Sequence, residues 1–269
     1  MFKRRSFRMN LIHFRTLFNR YFLQIFSNKS SLLMLILQVP LMLLVVLIMY
    51  KTDCFYNPTK MYDQNITIFI LVVINSFMGL LNSYREITKE QEILSREITG
   101  GLDPNAYVAS KLIVLGIISF VQALALMLGS FLFIRFNFTI PIWQGFLYFI
   151  SMFLVGLAST SIGLLISAIL KSSEGAVMPV LLIMICQVVF SGTIINFTGV
   201  ISIIVSLTPT FWGVAILGNA TEIQNIPRMS NLVYHQNVYV AIGALVFITI
   251  LCFALTTIVI KHRYKKISR

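Results

Sequence analysis

Charged residues are scarce in this chain of 269 residues, of which only 11% are Asp, Glu, Lys or Arg. Soluble domains carry about 25% charged residues and are about 45–50% apolar, whereas 58% of this chain is hydrophobic and its mean hydropathy is +0.87. Acidic residues are the rarest charged type, with nine against 21 basic residues. The composition excludes an ordinary soluble domain and predicts an integral membrane protein.

The sequence also lacks recognisable motifs for metal, redox, nucleotide or catalytic sites. The three cysteines, Cys54, Cys186 and Cys252, are widely separated and form no CxxC pair, which speaks against a metal or redox centre. The sequence contains no GxxxxGKS/T loop for a nucleotide phosphate. The apolar stretches show no carboxylate pair, histidine cluster or Ser/His/Asp set, so a membrane enzyme is not indicated. They also lack a central charge of the kind that an ion-coupled transporter needs.

Seven apolar stretches have lengths near the roughly 20 residues that a helix needs to cross a bilayer. Both ends of the chain are basic, which predicts that both are cytoplasmic and that the number of crossings is even. The stretch 199–218 contains Pro209 and has no charged flank, so we expect it to enter and return on the outer side. The seven stretches are residues 31–50, 66–84, 106–134, 145–170, 175–195, 199–218 and 238–260.

The distribution of basic residues supports six crossings. Seventeen of the 21 Lys and Arg residues then lie inside, and only Lys51, Lys60, Arg135 and Arg228 lie outside. The net charge of +12 is accordingly attributed to topology and to anionic lipid, and not to nucleic acid. The predicted divisions are residues 1–30 (N-terminal segment), 31–260 (membrane domain) and 261–269 (basic tail).

An amphipathic helix is predicted before the first span. Large apolar residues recur every three or four positions on one face, and arginines occupy the other face. Such a helix suits the cytoplasmic headgroup layer, either as a plain anchor or as a lever that contacts a cytoplasmic partner. The apolar face consists of Phe7, Leu11, Phe14, Phe18, Tyr21, Phe22 and Ile25.

Five of the nine acidic residues fall within one window, "REITKEQEILSREITGGLDPNAYVASKL", which covers residues 85–112. Ile87, Leu94 and Ile98 share one helical face, and the spacing predicts a helix over 83–99 that continues the second span. We expect ion pairs between Glu92 and Arg96 and between Lys89 and Glu92. The alternative is a solvated loop. The five acids are Glu86, Glu90, Glu92, Glu97 and Asp103.

Stop and start signals follow that helix. Gly100 and Gly101 are suited to ending it. Asp103 is a good N-cap, and Pro104 is a good first residue for the helix that follows. The window is therefore predicted to be a short helix outside the membrane, a tight turn, and the third span from about Asn105.

The segment "YREITKEQEILSREITGGLDPNAYVASKLIVL" resembles the intracellular coupling helix of ABC transporter permeases of the G-subfamily type, which have the type-2 (ABC-2) exporter fold. A second segment, "FSGTIINFTGVISIIVSLTPTFWGVAILGNA", is similar to the family's fifth span, re-entrant external segment and approach to the last span. The matching residues are Glu90, Leu94, Arg96, Glu97, Gly100, Ala106, Tyr107, Ser110 and Lys111 in the first segment, and Thr208, Pro209 and Trp212 in the second.

The resemblance implies an all-α integral membrane protein with six transmembrane helices and an N-terminal interfacial amphipathic helix. A cytoplasmic coupling helix would lie between helices 2 and 3, and a re-entrant external segment containing Pro209 and Trp212 between helices 5 and 6. Glu90, Leu94, Arg96 and Glu97 would be the residues that couple to the ATPase and do no chemistry themselves.

The resemblance also implies an exporter of a hydrophobic or amphiphilic substrate (lipid, peptide or drug) in a bacterial plasma membrane, with both termini cytoplasmic. G-subfamily proteins usually carry their ATPase in the same chain, and this sequence has no such motif. ATP and Mg would therefore bind to separate ABC ATPase subunits, with no cofactor in this chain. A second permease half, identical or related, would complete the pathway.

Four residues are candidates for that pathway: Asn75 and Phe77 in the second span, and Gln187 and Phe190 in the fifth. For Asn75 and Gln187 the alternative is an interhelical hydrogen bond, and for the two phenylalanines a lipid or core contact. For the whole protein the alternatives are a channel or secondary transporter, or a non-transporting scaffold that docks an ATPase. The small residues Gly156, Ser159, Thr160 and Gly163 predict close helix packing.

Overall fold

A computed structural model describes residues 10–52, 54–56, 60–170, 172, 174–195, 201–223 and 232–265. The chain is all-helical, with 82% helix and no strand among these residues. The α-helices of this part are α1 Leu11–Ser27, α2 Lys29–Met49, α3 Met61–Ser83, α4 Gln91–Thr99, α5 Pro104–Phe133, α6 Pro141–Ile169, α7 Val177–Val189, α8 Ile201–Val205, α9 Pro209–Ala220 and α10 Val238–Lys265.

Five of the predicted spans are confirmed as long apolar helices: α2, α3, α5, α6 and α10. The fifth predicted span, 175–195, is represented by α7, which has only 13 residues. At 1.5 Å per residue α7 is about 20 Å long, against about 30 Å of hydrocarbon. The protein is thus a multi-pass membrane protein, while the count of six crossings stays a prediction.

The centre of the molecule is the contact between α3 and α6. A Cβ atom added to Gly79 would lie 2.4 Å from the carbonyl oxygen of Gly156, so the two backbones touch at this point. One added to Gly163 would overlap Ser83. The close packing predicted for the small residues of the fourth span is confirmed. Helix α9 packs against both α3 and α6, and α10 packs against α6.

The helix predicted over 83–99 is interrupted. The helix α3 ends at Ser83, and a turn and a short 3₁₀ segment, Thr88–Glu90, precede α4. The cause is tertiary: the hydroxyl of Ser167 on α6 accepts the N–H groups of Ile87 and Thr88 at 2.9 and 3.0 Å. This side chain satisfies backbone donors that a continuous helix would pair internally.

The local start and stop signals agree with the structure. Three backbone N–H groups, from Gly100, Gly101 and Leu102, close the end of α4, and Gly101 has a φ of +103° that only glycine adopts readily. The Asp103 side chain caps α5 by accepting the N–H of Asn105 at 3.1 Å.

The amphipathic helix is present as α1, which Asn10 caps. The buried residues of α1 are Leu17, Tyr21 and Ile25. Tyr21 and Ile25 were predicted on the apolar face, Leu17 was not, and the predicted Leu11 is exposed, because it lies in the first turn of the helix. Phe7, which we placed on the same face, lies outside the described residues, as do several of the counted basic residues. Those basic residues are Lys3, Arg4, Arg5, Arg8, Lys171, Arg228, Lys266 and Arg269.

The stretch predicted to be re-entrant forms two short helices, α8 and α9, with a break at residues 206–208; residues 196–200 lie outside the described part. Pro209 is the first residue of α9, and the indole N–H of Trp212 donates to the Ser206 carbonyl at 2.7 Å across the break. The Thr208 hydroxyl donates to the carbonyl of Phe190 at 3.0 Å, which ties the break to the end of α7.

Candidate functional site

A buried ion cluster lies where α5 begins, at the end of the bundle that carries α4. The ammonium group of Lys111, a residue 2% exposed, lies 2.8 Å from a carboxylate oxygen of Glu90 and 3.6 Å from one of Glu86. The side chains of Glu90 and Glu86 are only 12% and 14% exposed, respectively. Lys89 neutralises the second charge, because its ammonium group lies 2.5 Å from Glu86.

Two tyrosines enclose this cluster. The Lys111 ammonium lies 3.9 Å from the centre of the Tyr21 ring, within range for a cation–π contact. The Tyr21 hydroxyl donates to Glu86, and the Tyr107 hydroxyl donates to Glu90 at 3.0 Å. Burial, and then the negative charge of Glu86, raise the pKa of Tyr21 well above its ordinary value, so this phenol keeps the proton that it donates.

The cluster corrects one prediction. Lys89 pairs with Glu86 and not with Glu92, because Lys89 lies in the 3₁₀ segment before α4 and faces back towards the turn. Within the described part of the chain no ion pair joins Glu92 to Arg96 either. The charges of the window therefore serve tertiary contacts more than they support the helix itself.

An ion pair of a different kind joins α1 to α4. The guanidinium of Arg20 makes two contacts with the carboxylate of Glu97, one of them at 3.3 Å. The hydrogen bond to Glu97 is the main reason that the pKa of Arg20 rises above its ordinary value, although burial acts against it. The two side chains are 46% and 27% exposed, so water screens this pair more than it screens Lys111.

Apolar contacts and one cap complete the attachment of α1. Leu94 and Ile98, on the inner face of α4, are buried in one cluster with Leu17 and Tyr21 of α1. Asp103, which caps α5, also accepts the backbone N–H of Asn10 at 3.0 Å. The helices α1 and α4 and the start of α5 are thus held together by ion pairs, by the hydrogen bond of Asp103 to Asn10 and by a common apolar core.

The outer face of α4 is free of these contacts. Glu92 and Arg96 are exposed there, and an open groove of about 410 Å³ separates α4 from the end of α10. The groove is lined by Gln91, Glu92, Ser95, Arg96, Arg263 and Tyr264.

The four residues predicted to couple to an ATPase therefore face different ways. Glu90 and Leu94 point into the protein, Glu97 contacts α1, and only Arg96 lies on the free face. Sequence reasoning missed the contribution of Arg20, Tyr21 and Glu86, and gave Lys111 and Tyr107 no role in the site. One signal was available, since a lysine inside an apolar stretch needs a partner of opposite charge.

The four residues predicted for a pathway lie elsewhere, among α3, α6 and α7. Asn75, 2% exposed, donates to the carbonyl of Met152 on α6, and Gln187, 1% exposed, accepts from the Ser76 hydroxyl. These are the interhelical hydrogen bonds that we named as the alternative. Phe77 and Phe190 are only partly buried, and the pathway role of all four residues stays a prediction.

Two comparisons with known proteins found sequences similar to this chain. A family model described as ABC-2 type transporter matches residues 12–219, from α1 to α9. The chain is also similar to the ABC transporter ATP-binding/permease protein Rv1747 of Mycobacterium tuberculosis, with 32% identity over 160 residues. That match covers 54% of this chain and 18% of the mycobacterial protein, so the chain corresponds to a small part of its relative.

Proposed function

The chain belongs to the ABC-2 type transporter family, and on that basis we propose that it is the permease subunit of an ATP-driven exporter. The observation that carries the proposal is α4, a short charged helix outside the apolar core that is fastened to its neighbours on one side and free on the other. This is the arrangement that a docking surface for a motor protein needs.

The proposed mechanism follows from the two faces of α4. An ATPase subunit docks against the exposed face, where Arg96 and Glu92 fix its register by charge. A displacement of α4 then passes to α1 through Glu97 and the buried Leu94 and Ile98, and to α5 through Glu90, because the packed contacts cannot yield independently. Alternate arrangements of the helices would expose the pathway to one side of the membrane and then to the other.

We place ATP and Mg²⁺ on separate ABC ATPase subunits, because the 269 residues contain no phosphate-binding loop. The relative's name gives ATP binding and permease to one protein, so a fused ATPase is the competing arrangement. The end of the bundle that carries α4 is cytoplasmic in this proposal, together with both ends of the chain, and α7 makes the sixth crossing with the turns that flank it. The short helices α8 and α9, with Pro209 and Trp212, form the external re-entrant segment.

A second permease half, identical or related, is proposed to pack against α7. The apolar side chains of Leu181, Leu182, Ile185 and Val189 on that helix are exposed, and Phe77 and Phe190 are partly buried. The pathway is proposed to run along this face between the two halves. Its apolar lining favours a hydrophobic or amphiphilic substrate such as a lipid, a peptide or a drug.

The test is charge reversal on the free face of α4. Arg96→Glu is expected to weaken ATPase binding about fivefold or more, the effect of roughly 1 kcal/mol, and to lower substrate-stimulated ATP turnover in reconstituted vesicles. The matched control is Arg135→Glu, an exposed arginine outside the α4 region that has no part in the proposed docking face. Membrane insertion should be unchanged in both variants.

The outcomes separate the competing functions. Equal ATPase binding by Arg96→Glu and by the wild type would contradict docking on α4. A bound ATPase without ATP-dependent substrate movement would indicate a non-transporting scaffold, and substrate movement without any ATPase would indicate a channel or secondary transporter.

A further inference from the structure

Arg263, near the end of α10, contacts two other helix ends at once. One terminal nitrogen of its guanidinium donates to the carbonyl of Ala168 at 3.1 Å and to that of Leu170 at 3.0 Å. The other terminal nitrogen donates to the side-chain carbonyl of Gln91 at 3.2 Å. Ala168 and Leu170 form the C-terminal end of α6, and Gln91 is the first residue of α4.

The chemistry of these partners explains why an arginine suits the position. The last carbonyls of an α-helix have no partner within the helix and carry partial negative charge, so a cation beside them is favourable. The planar fork of an arginine can serve such carbonyls on one side and a side-chain amide on the other. Lysine, with a single ammonium group, cannot reach both sides in the same way.

Gln91 strengthens the same junction. Its side-chain N–H donates to the carbonyl of Leu170 at 2.5 Å, and its backbone carbonyl accepts from the hydroxyl of Tyr264 at 3.5 Å. The start of α4 is therefore joined to α6 and α10 by polar contacts that are separate from the Lys111 cluster. Gln91 and Arg263 also line the groove beside the free face of α4.

We propose that Arg263 is a positioning residue that makes α10 and the end of α6 move together with α4. The inference rests on the proposed function, because it adds a second route for the motion of α4. Glu97 and Glu90 connect α4 to α1 and α5, whereas Arg263 connects it to the central helix α6 and to the last span. Loss of Arg263 should let the start of α4 separate from α10 while the Lys111 cluster remains intact.

The experiment measures that separation directly. Spin labels are attached at Ile93→Cys on α4 and Ile258→Cys on α10, both exposed positions, in a chain whose three native cysteines are replaced. Electron paramagnetic resonance then gives the distribution of distances between the labels. The variants are Arg263→Gln and Arg263→Lys, and the control is His262→Gln, which changes an exposed neighbour on the same turn.

In the isolated permease, Arg263→Gln is expected to increase the fraction of molecules in which the start of α4 is separated from α10. The increase should be about tenfold or more, which is the effect of losing one charge-assisted hydrogen bond. Arg263→Lys should lie between this variant and the wild type, and His262→Gln should match the wild type. In the complex with an ATPase, Arg263→Gln should transport less substrate for each ATP hydrolysed, with Arg263→Lys partly restoring the ratio.

Two results would overturn the proposal: an unchanged distance distribution in Arg263→Gln, or an equal change in His262→Gln. If Arg263→Gln does not fold, Arg263→Lys makes the same comparison with the charge retained. A wild-type complex that does not respond to ATP would count against the proposed function alone, since the measurement on the isolated permease still decides the role of Arg263.

Discussion

Replacing Lys111 with methionine is the most informative single change to the buried ion cluster. Methionine keeps the length and the apolar stem of the side chain but removes the charge that lies 2.8 Å from Glu90 and 3.6 Å from Glu86. Both carboxylates would then face each other with Lys89 alone as a counter-ion. The structure predicts a large loss of stability, because an uncompensated charge stays out of water.

The magnitude can be worked from the geometry. At an effective dielectric constant of about 20, the gross attraction of Lys111 is about 6 kcal/mol to Glu90 and about 4.6 kcal/mol to Glu86. Most of this offsets the cost of removing the charges from water, and removal of one partner from a buried pair typically costs about 3–5 kcal/mol. Because Glu86 and Glu90 retain 14% and 12% exposure, we expect the lower end, about 3 kcal/mol.

The assay is the midpoint of thermal unfolding in detergent, followed by size-exclusion fluorescence. Lys111→Met should lower the midpoint by about 6–12 °C, at roughly 2–4 °C for each kcal/mol. Lys89→Met is the matched control, because Lys89 pairs with the same Glu86 but is 40% exposed and should cost less than about 1 kcal/mol. The double variant Lys111→Met/Glu90→Gln should recover part of the loss. Equal shifts for the two lysine variants, or no recovery in the double variant, would refute the reasoning.

Two further predictions concern the bundle itself. Gly79→Ala should destabilise the protein by about 1–3 kcal/mol, because the new Cβ would meet the carbonyl of Gly156. The control Gly243→Ala should be neutral or slightly stabilising, because its new Cβ meets no atom within 4 Å. Equal thermal midpoints for the two variants would contradict the close contact of α3 with α6. Ser167→Ala removes the acceptor of the Ile87 N–H, which is expected to cost about 1–3 kcal/mol. Hydrogen exchange of the backbone amides should therefore become faster over residues 84–90 and stay unchanged in α10. Unaltered exchange in both regions would show that Ser167 does not hold the turn.

Much of the fold could be predicted because its signals are local. The glycine pair at 100–101, the cap at Asp103 and the proline at 104 each act on their immediate neighbours, and the structure confirms all three. Hydropathy likewise located the five long helices, since each needs about 20 apolar residues whatever surrounds it. The periodicity of α1 placed Tyr21 and Ile25 on the buried face for the same reason, although it did not identify Leu17.

The remaining features depend on residues far apart in the sequence. The interruption after Ser83 is set by Ser167, about 80 positions further along the chain, and no local sequence pattern predicts it. Lys89, which lies within that interruption, pairs with Glu86 on its N-terminal side instead of with Glu92 in α4. Helix α10 continues five residues beyond the predicted limit of 260, and Arg263 within this extension bonds to α4 and α6.

The concentration of acidic residues in one window follows from these contacts. Glu86 and Glu90 neutralise a lysine that would otherwise be buried alone at the start of α5. Glu97 pairs with Arg20 of α1, and Asp103 caps α5 and also accepts the backbone N–H of Asn10, the residue that caps α1. Glu92 alone remains on the free face of α4. Four of the five acids are thus committed to holding α4 in place, which is what a helix must have if force applied to its outer face is to reach the membrane spans.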